Sequence, residues 1–369
     1  MQLTSLQLGG VRNLFTSKLR FHPAINLIFG PNGSGKTSIL EAINLLSLGR
    51  SFRTHELQSV INHNENALVC YGEVSLGAKV FSLGVEKKKN SSLLCQHKGQ
   101  TGIPLSNFMG NLALQSITPD SFNLLSAGPE VRRKFIDLGV FHVEHQFVDI
   151  SMRYKKLLKH RNAALKQPNA ASLLPPWDNQ IISVAEELHN KRYSYLQGFI
   201  PVFQEVADIL LPEISIHHQY YSGWKKGQSF YDALHGAKER DLKFKVTTVG
   251  PHRADIKLTS LGFSAHQVLS RGQQKLLVCA LILAQSLYLF KQKRTKSVFI
   301  IDDLASELDR DNLKIILDWL FDLGHQVFLT SVDRAIWTSL YPDLSCQMFH
   351  VEQGEIIEEA CEKTELTPH

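Results

Sequence analysis

One loop constrains the fold of this chain more than any other feature. Its residues match the Walker A pattern in full: Gly30-Pro31-Asn32-Gly33-Ser34-Gly35-Lys36-Thr37. An apolar run at 24–29 leads into the loop, and apolar residues at helical spacing follow it at 39–46. Glycines are required because backbone N–H groups must curl around a phosphate where Cβ atoms would not fit. The sequence therefore predicts an α/β fold built on a strand, a phosphate-binding loop and a helix.

Every residue of this loop is predicted to contact ATP. Lys36 is expected to reach the β- and γ-phosphates and to be catalytic, and the hydroxyl of Thr37 is expected to ligate Mg²⁺. The helix that begins beyond Lys36 directs the positive end of its dipole at the phosphates. The alternative, a chance match on a glycine-rich turn, does not account for the flanking strand and helix.

A second motif is an apolar strand that ends in two acids. Residues 297–301 are followed directly by Asp302 and Asp303, and the carboxyl ends of buried strands are where α/β sheets bind ligands. Asp302 is predicted to hold Mg²⁺, and Asp303 to orient or deprotonate the attacking water. Neighbouring strand residues face opposite sides, so we expect these two to have different roles. The alternative is a strand that simply ends in a polar turn.

A third motif, Leu269–Lys275, resembles the signature segment of ABC-type ATPases. Ser270 and the backbone N–H groups near Gly272 lie at the predicted start of an apolar helix, 276–290, and such a helix end binds anions. The phosphates bound by the same subunit are already held by its own loop. The predicted anion is therefore the γ-phosphate held by a partner chain, which makes Ser270 a catalytic candidate. An ordinary helix cap at Ser270 is the alternative.

Composition limits the remaining possibilities. At 369 residues the chain is long enough for two domains, and a formal charge of +5 permits a polyanionic partner. Five scattered cysteines and an N-terminus without a signal-peptide pattern indicate the cytoplasm. The longest apolar stretch, 276–290, is shorter than the ~20 residues of a membrane span. It predicts a buried helix and no membrane association.

The three motifs divide the chain into a head and an insertion. We predict a first part of the ATPase head at 1–140, with the Walker A loop and a β-rich lobe that includes strand-like residues 67–85. Residues 141–241 are predicted to form an inserted, mainly helical arm, with helices at 152–166 and 181–211. Residues 242–369 are predicted to complete the head with the signature segment, the acidic strand and a frayed acidic tail from 352 onward.

Beyond these general motifs, the chain resembles the RecF family of the ABC/SMC-type ATPases from end to end. Five runs carry the resemblance in the family's order: Arg50-Ser51-Phe52-Arg53-Thr54, Ser116-Ile117-Thr118-Pro119-Asp120, Gly128-Pro129-Glu130-Val131-Arg132-Arg133-Lys134-Phe135, Gly250-Pro251-His252-Arg253-Ala254-Asp255 and Asp302-Asp303-Leu304-Ala305-Ser306-Glu307-Leu308-Asp309.

This resemblance implies an ATP-dependent DNA clamp of recombinational repair and replication restart. Family members are expected to dimerise on ATP with Mg²⁺, to bind duplex, single-stranded and gapped DNA, and to help load RecA with RecO and RecR. The resemblance also implies a weak, DNA-stimulated ATPase whose slow hydrolysis resets the clamp. It places residues 306–309 in a loop that crosses the dimer interface, although their Ser–Asp spacing also suits a helix start before 312–320.

Two departures and two alternatives accompany the resemblance. Asp303 stands where most ABC ATPases carry Glu, which is consistent with weak turnover, and Ala254 stands where we expected the first of two acids. The nucleotide-binding subunit of an ABC transporter is one alternative, but Arg271 and Asp303 argue against it. An ATP-gated scaffold in which hydrolysis has no role is the other.

DNA contacts are expected from lysine and arginine side chains that neutralise phosphates. The candidate clusters are Lys87-Lys88-Lys89; Arg132-Arg133-Lys134; Lys155, Lys156, Lys159 and Arg161; and Lys291, Lys293, Arg294 and Lys296. For each cluster, a solvated charged face is the alternative.

Three further polar residues or pairs have candidate roles. Gln115 is a candidate for the glutamine that couples the γ-phosphate to the second lobe, or else a polar strand residue. His142 and His145 are spaced like helix-borne zinc ligands, but no second pair accompanies them. His252 is predicted to belong to a core or an interface.

Overall fold

The computed structural model describes residues 1–342 and 345–360 of the chain. Fifteen strands lie in this part: β1 Gln2–Gly9, β2 Ser17–Arg20, β3 Ile25–Phe29, β4 Ala67–Leu76, β5 Lys79–Lys88, β6 Leu93–His97, β7 Gln100–Thr101, β8 Leu114–Ile117, β9 His217–Tyr221, β10 Asp255–Ser260, β11 Phe263–Ser264, β12 Val298–Ile301, β13 Gln326–Ser331, β14 Gln347–Glu352 and β15 Glu355–Ala360.

Fourteen α-helices occur in the same residues: α1 Lys36–Leu48, α2 Leu105–Phe108, α3 Asn123–Ser126, α4 Pro129–Val143, α5 Phe147–Ala164, α6 Ala170–Leu173, α7 Pro175–Leu210, α8 Phe230–Gly236, α9 Lys238–Phe244, α10 Ala265–Val268, α11 Arg271–Lys293, α12 Leu304–Glu307, α13 Arg310–Asp322 and α14 Ala335–Leu340. Short 3₁₀ turns lie at Leu57–Val60, Pro119–Phe122 and Pro251–Arg253.

The sheet that carries the predicted nucleotide motifs has the order β15-β14-β3-β13-β12-β8. All of its pairings are parallel except the one between β14 and β15. The central strands β3, β12 and β13 are fully buried and mainly apolar, as is typical of strands covered on both faces. Because these strands run in the same direction, their carboxyl ends meet at one edge of the sheet.

A second, antiparallel sheet forms the predicted β-rich lobe, in the order β2-β1-β4-β5-β6-β7. Buried and exposed residues alternate along β4, which leaves one face of the strand for packing. Helix α1 is buried on almost every residue and contacts strands of both sheets. Its apolar side chains join those of both sheets in one core, which fixes the helix that follows the Walker A loop.

The chain forms two compact units. The first unit contains residues 1–122 together with the described residues from 293 onward, and the second contains 123–292. These limits are wider than the predicted insertion at 141–241. The second unit extends further because α4 packs on α7 and on β10. Helix α4 begins before the predicted arm and β10 follows it, so the unit includes residues on both sides of 141–241.

The second unit is built around the two predicted arm helices. Helices α5 and α7 pack along each other and confirm the predictions at 152–166 and 181–211. Pro175 and Pro176 begin α7, where the absence of a proline N–H costs no hydrogen bond. The sequence did not reveal the three-stranded sheet β11-β10-β9, of which β9 lies inside the predicted helical insertion.

Helix α11 is the only helix in the described residues that is long and apolar enough to cross a membrane. In its most apolar window, 78% of the residues are buried inside the protein, as in the core helix of a globular fold. The predicted buried helix is therefore confirmed, although it is longer than the apolar stretch at 276–290 because polar residues extend both of its ends.

The predicted frayed tail is wrong for its first residues. Strand β15 pairs with β14 from Glu352↔Glu355 to Gln347↔Ala360, around a turn in which Gln353 and Gly354 have positive φ. This hairpin extends the parallel sheet at its edge. The remaining acids of the predicted tail, from 361 onward, lie outside the described residues.

Candidate nucleotide-binding site

The predicted phosphate-binding loop lies between β3 and α1 with the backbone geometry that such a loop needs. Gly30, Gly33 and Gly35 all have positive φ, at 148°, 78° and 124°, a region that favours glycine. A Cβ at Gly30 would collide with the carbonyl oxygen of Val351. The Lys36 ammonium donates to the carbonyl oxygens of Gly30 and Pro31 at 2.7 and 2.9 Å.

The second predicted motif meets the first at the carboxyl edge of the parallel sheet. The hydroxyl of Thr37 lies 3.0 and 3.1 Å from the two carboxylate oxygens of Asp302, a residue 265 positions away in sequence. Thr330, on the neighbouring strand β13, donates to the same carboxylate at 2.7 Å. A hydroxyl and a carboxylate brought together in this way form the donor set that Mg²⁺ takes beside bound phosphates.

Asp303 differs from Asp302 in both backbone and partners. It adopts a left-handed conformation, φ 51° and ψ 39°, which costs energy for a residue other than glycine. Its N–H donates to the Thr330 hydroxyl at 2.9 Å, and its carboxylate accepts from Ser306 at 2.9 Å. Our expectation that the two acids face opposite sides is wrong, because β12 ends at Ile301 and both acids line one cleft.

That cleft has a volume of about 810 Å³ and contains residues that the motifs did not reveal. Arg12 makes a bidentate ion pair with the buried Glu41, with both N–O distances at 2.9 Å. Asn13 donates to the carbonyl oxygen of Ser34 at 3.0 Å and so supports the loop. The sequence contains one signal for Thr330, which is a hydroxyl near the end of an apolar run. No local sequence pattern marks Arg12 or Asn13 as residues of the cleft.

The residues of the cleft fit a bound phosphate and its metal. Burial lowers the pKa of Lys36, and the carboxylates of Asp303 and Asp302 oppose that shift; an anionic ligand would favour the charged ammonium further. The Ser34 hydroxyl is buried without a hydrogen-bond partner among the described residues. Such a buried oxygen needs a donor or an acceptor, which a phosphate oxygen supplies.

Ser270 of the signature segment directly precedes α11, in the second unit. Its hydroxyl accepts from the Gln273 N–H at 3.3 Å, and the Gln273 side chain accepts from the Ser270 N–H at 2.9 Å, which is a capping box. Ser270, Arg271 and Gly272 are exposed or partly exposed. The predicted alternative, an ordinary cap, is therefore present. The predicted role toward a partner's phosphate stays a prediction.

Residues after the acidic strand form the helix start that their spacing predicted. Asp309 caps α13, since its carboxylate accepts from the Asn312 N–H at 2.9 Å. Hydrogen bonds from the backbone and side chain of Asn312 lower the pKa of this exposed carboxyl. The second predicted role of this segment, crossing a dimer interface, stays a prediction.

Two arginines assigned to DNA-binding clusters are occupied by internal ion pairs. Arg161 is completely buried, and its guanidinium binds Asp178 and Asp241, each at 2.7 Å. Arg132 binds Asp255 at 2.7 and 3.0 Å through two nitrogens. The prediction that Arg161 contacts DNA is wrong because burial keeps its charge from a phosphate. By contrast, Lys155, Lys156 and Lys159 are exposed.

Three further predictions concerned single polar residues. Gln115 is buried in β8, which is the position of a polar strand residue, and its coupling role stays a prediction. His252 is held between the Tyr154 hydroxyl at 2.7 Å and the Thr247 carbonyl oxygen at 3.0 Å, which confirms a core position. Within the described residues no group of three or more His, Cys, Asp or Glu could hold a metal, including around His142 and His145.

Comparison with known proteins gives a consistent result. The model of the RecF/RecN/SMC N-terminal domain family matches residues 2–356. The DNA replication and repair protein RecF of Pseudomonas paraeruginosa is 40% identical over 362 residues, which cover 96% of this chain and 97% of the relative. RecF of Cellvibrio japonicus is 37% identical over 364 residues, or 96% and 99% of the two chains.

Solved structures agree with this comparison. The structure of the recombination mediator protein RecF-ATP in the RecFOR pathway superposes with a TM-score of 0.88 at 25% identity and covers 97% of this chain and 98% of that one. An Smc head bound to the C-winged helix domain of ScpA superposes with a TM-score of 0.60 at 15% identity, covering 98% and 99% of the two chains. This second likeness concerns the fold alone.

Proposed function

The chain belongs to the RecF family of DNA replication and repair proteins within the RecF/RecN/SMC group, and from that premise we propose that it is an ATP-dependent DNA clamp. In this proposal it dimerises around ATP and Mg²⁺, binds duplex, single-stranded and gapped DNA, and acts in recombinational repair. The observation that carries the proposal is the contact between the Thr37 hydroxyl and the Asp302 carboxylate. It joins two motifs far apart in sequence into one nucleotide site.

In this site the loop backbone and Lys36 would hold the phosphates, while Thr37 and Asp302 would hold Mg²⁺. The metal would neutralise charge on the phosphate oxygens. Asp303 orients or deprotonates the attacking water, and its hydrogen bond from Ser306 fixes the carboxylate. An aspartate reaches less far than the glutamate of most ABC ATPases, so we infer slow hydrolysis that resets the clamp.

Dimerisation is proposed from the position of Ser270. The capping box satisfies two N–H groups at the start of α11. The space around Gly272 is open, because a Cβ added to this residue would meet no described atom within 4 Å. An exposed helix start of this kind can accept the γ-phosphate held by a second copy of the chain. The Ser270 side of each subunit would then complete the nucleotide site of the other.

Partners beyond DNA and a second copy are inferred from the family. The solved RecF structures are described as belonging to the RecFOR pathway, and we propose that this chain likewise acts with RecO and RecR in loading RecA. We place it in the cytoplasm, where bacterial DNA is found. The transporter-subunit alternative is not favoured, since the curated relatives are RecF proteins.

The decisive experiment measures DNA binding and mass together. The full-length protein is mixed with gapped duplex, with and without ATP and Mg²⁺, while light scattering follows its mass. ATP-dependent DNA binding with a shift from monomer to dimer is expected. Dimerisation without DNA affinity would contradict the clamp and leave only an ATPase.

A pair of variants separates the dimer from the nucleotide pocket. Ser270→Arg places a bulky cation at the helix start and should abolish ATP-dependent dimerisation while the monomer still binds ATP. Ser172→Arg is the matched control, since Ser172 is an exposed helical serine of the same unit. Normal dimerisation of Ser270→Arg would refute the assignment across subunits.

A further inference from the structure

The second unit contains a cavity that the nucleotide site does not use. It has a volume of about 660 Å³ and lies between α7, strand β9 and the loop at 222–228. Aromatic side chains from all three segments line it. We name this cavity the aromatic pocket and define it by His189, Tyr193, Tyr220, Tyr221 and Trp224.

The rings of the aromatic pocket are arranged around His189. The Tyr220 ring lies parallel to it at 5.9 Å, and the Trp224 ring meets it edge-on at 4.9 Å. Tyr193 is 50% exposed, and its ring lies 6.0 Å from that of His189, so part of the Tyr193 ring is open to a ligand. A parallel pair of rings beside an open ring is a surface on which a further flat ring can stack.

The loop that closes the pocket is held in one conformation. The Trp224 indole N–H donates to the Gln228 carbonyl oxygen at 3.0 Å, and the Ser222 hydroxyl donates to the Trp224 carbonyl oxygen at 3.1 Å. Gly223 has φ 105°, and a Cβ there would collide with the carbonyl oxygen of Gly250. The pocket is therefore largely formed before any ligand arrives, which reduces the entropy lost on binding.

The polar groups of the pocket suit an anionic ligand with hydrogen-bonding edges. Lys225 and Lys226 are exposed at its rim, and neither has an ion-pair partner among the described residues. No Asp or Glu is among the described residues that line the pocket. The Nδ1 atom of His189 is buried with no hydrogen-bond partner in the described part of the chain.

We propose that the aromatic pocket binds unstacked nucleobases of single-stranded nucleic acid, with Lys225 and Lys226 neutralising the adjoining phosphates. This proposal rests on the proposed function, which it deepens by locating a single-strand site on the second unit. Open aromatic rings beside unpaired cations are the two features that sequence-tolerant single-strand binding requires. Burial and the nearby Arg192 lower the pKa of His189, so the ring is neutral and can exchange hydrogen bonds with a base edge.

A polypeptide is the other class of occupant that the pocket could take, because β9 is an edge strand and edge strands can pair with a peptide. Pairing of that kind relies on backbone groups and does not require open rings or unpaired cations. The lysines and the absence of carboxylates among the described lining residues favour the nucleic acid.

The test compares oligothymidine of about 15 nucleotides with an abasic oligomer of the same length, measured by fluorescence anisotropy on the full-length protein. Tyr193→Ala should weaken oligothymidine binding roughly 5- to 150-fold, the loss of one stacked base, and leave the abasic oligomer unaffected. Tyr193→Phe should retain wild-type affinity. Tyr231→Ala is the control, since Tyr231 is 53% exposed outside the pocket.

Lys225→Ala combined with Lys226→Ala tests the phosphate contacts. These changes should lower the slope of log K against log salt for oligothymidine by about 1.4, which is two phosphates at about 0.7 each. They should affect the abasic oligomer in the same way, since its phosphates are unchanged.

Two outcomes would overturn the proposal and can be told apart from failure of the clamp. If Tyr193→Ala binds oligothymidine as the wild type does, while ATP-dependent duplex binding is intact, this site is refuted and the clamp stands. A peptide-binding role for the pocket would give that same result. If the wild-type protein binds neither duplex nor oligothymidine with ATP, the clamp and the site fail together.

Discussion

Replacing Arg161 by methionine tests whether the basic residues of α5 bind DNA or hold the second unit together. Arg161 is completely buried and contacts Asp178, Asp241 and the Thr247 hydroxyl at 2.7–2.8 Å. Methionine fills much of the same space but leaves the two carboxylates without their guanidinium. A buried ion pair broken from one side costs about 3–5 kcal/mol.

The expected loss is large enough to measure by thermal unfolding. For a unit of this size, 1 kcal/mol shifts the melting temperature by about 2–4 °C. Arg161→Met should therefore lower the Tm of the second unit by roughly 6–20 °C. Tryptophan fluorescence includes the signal of Trp177, whose ring stacks on His160 of α5 at 4.8 Å.

Lys159→Met is the matched control, because Lys159 lies on the same helix and is exposed. It should leave the Tm unchanged. If Lys159 contacts duplex, the same change should lower the salt slope of duplex binding by about 0.9. Arg161→Met should not change that slope at a temperature where the unit is folded.

Neutralising the carboxylates should restore part of the lost stability. Adding Asp178→Asn and Asp241→Asn to Arg161→Met removes the unpaired buried charges, which cause most of the loss when one partner of a buried ion pair is deleted. The reasoning is refuted if Arg161→Met melts like the wild type. It is also refuted if the added Asn substitutions lower the Tm further.

Three other predictions follow from the geometry. Thr37→Ala removes the hydroxyl that contacts Asp302 and should weaken Mg²⁺-ATP binding by about 1.5–3 kcal/mol, or roughly 10- to 150-fold, in a titration calorimeter, whereas Thr37→Ser should retain most of the affinity. Asp303→Asn should keep ATP binding and dimerisation but abolish hydrolysis, measured as phosphate release; wild-type turnover would exclude Asp303 as the residue that activates water. Burial lowers the pKa of both His252 and His325 to about 4, below the ordinary value of about 6.5. The unfolded chain then binds more protons, so stability is fully present above about pH 6.5 and is lost as the pH falls toward 4, by at most about 3 kcal/mol for each histidine. As the pH falls across this range, the urea midpoint of unfolding should decrease less steeply in His325→Asn than in the wild type. The same dependence on pH in both proteins would contradict a neutral buried His325.

The sequence alone was enough to predict features whose residues are neighbours in the chain. Gly30–Thr37 had to form a phosphate-binding loop between a strand and a helix, because the glycines and the flanking apolar patterns act over a few residues. The helix start before Asn312 followed from the same kind of local pattern, since a cap needs only a side chain and an N–H three residues later. The buried helix at 276–290 was predictable from its apolar composition.

Tertiary structure decided everything that depends on which segments meet. Thr37, Asp302 and Thr330 converge only because β3, β13 and β12 are neighbours in one parallel sheet, an order that periodicity does not encode. Arg161 and Lys159 belong to one basic run, yet the helix turns the first into the core and the second to solvent. The aromatic pocket likewise joins His189 of α7 to Tyr220 of β9. Local patterns fix each element through short-range sterics and hydrogen bonds, whereas pairing between distant elements depends on which faces bury each other.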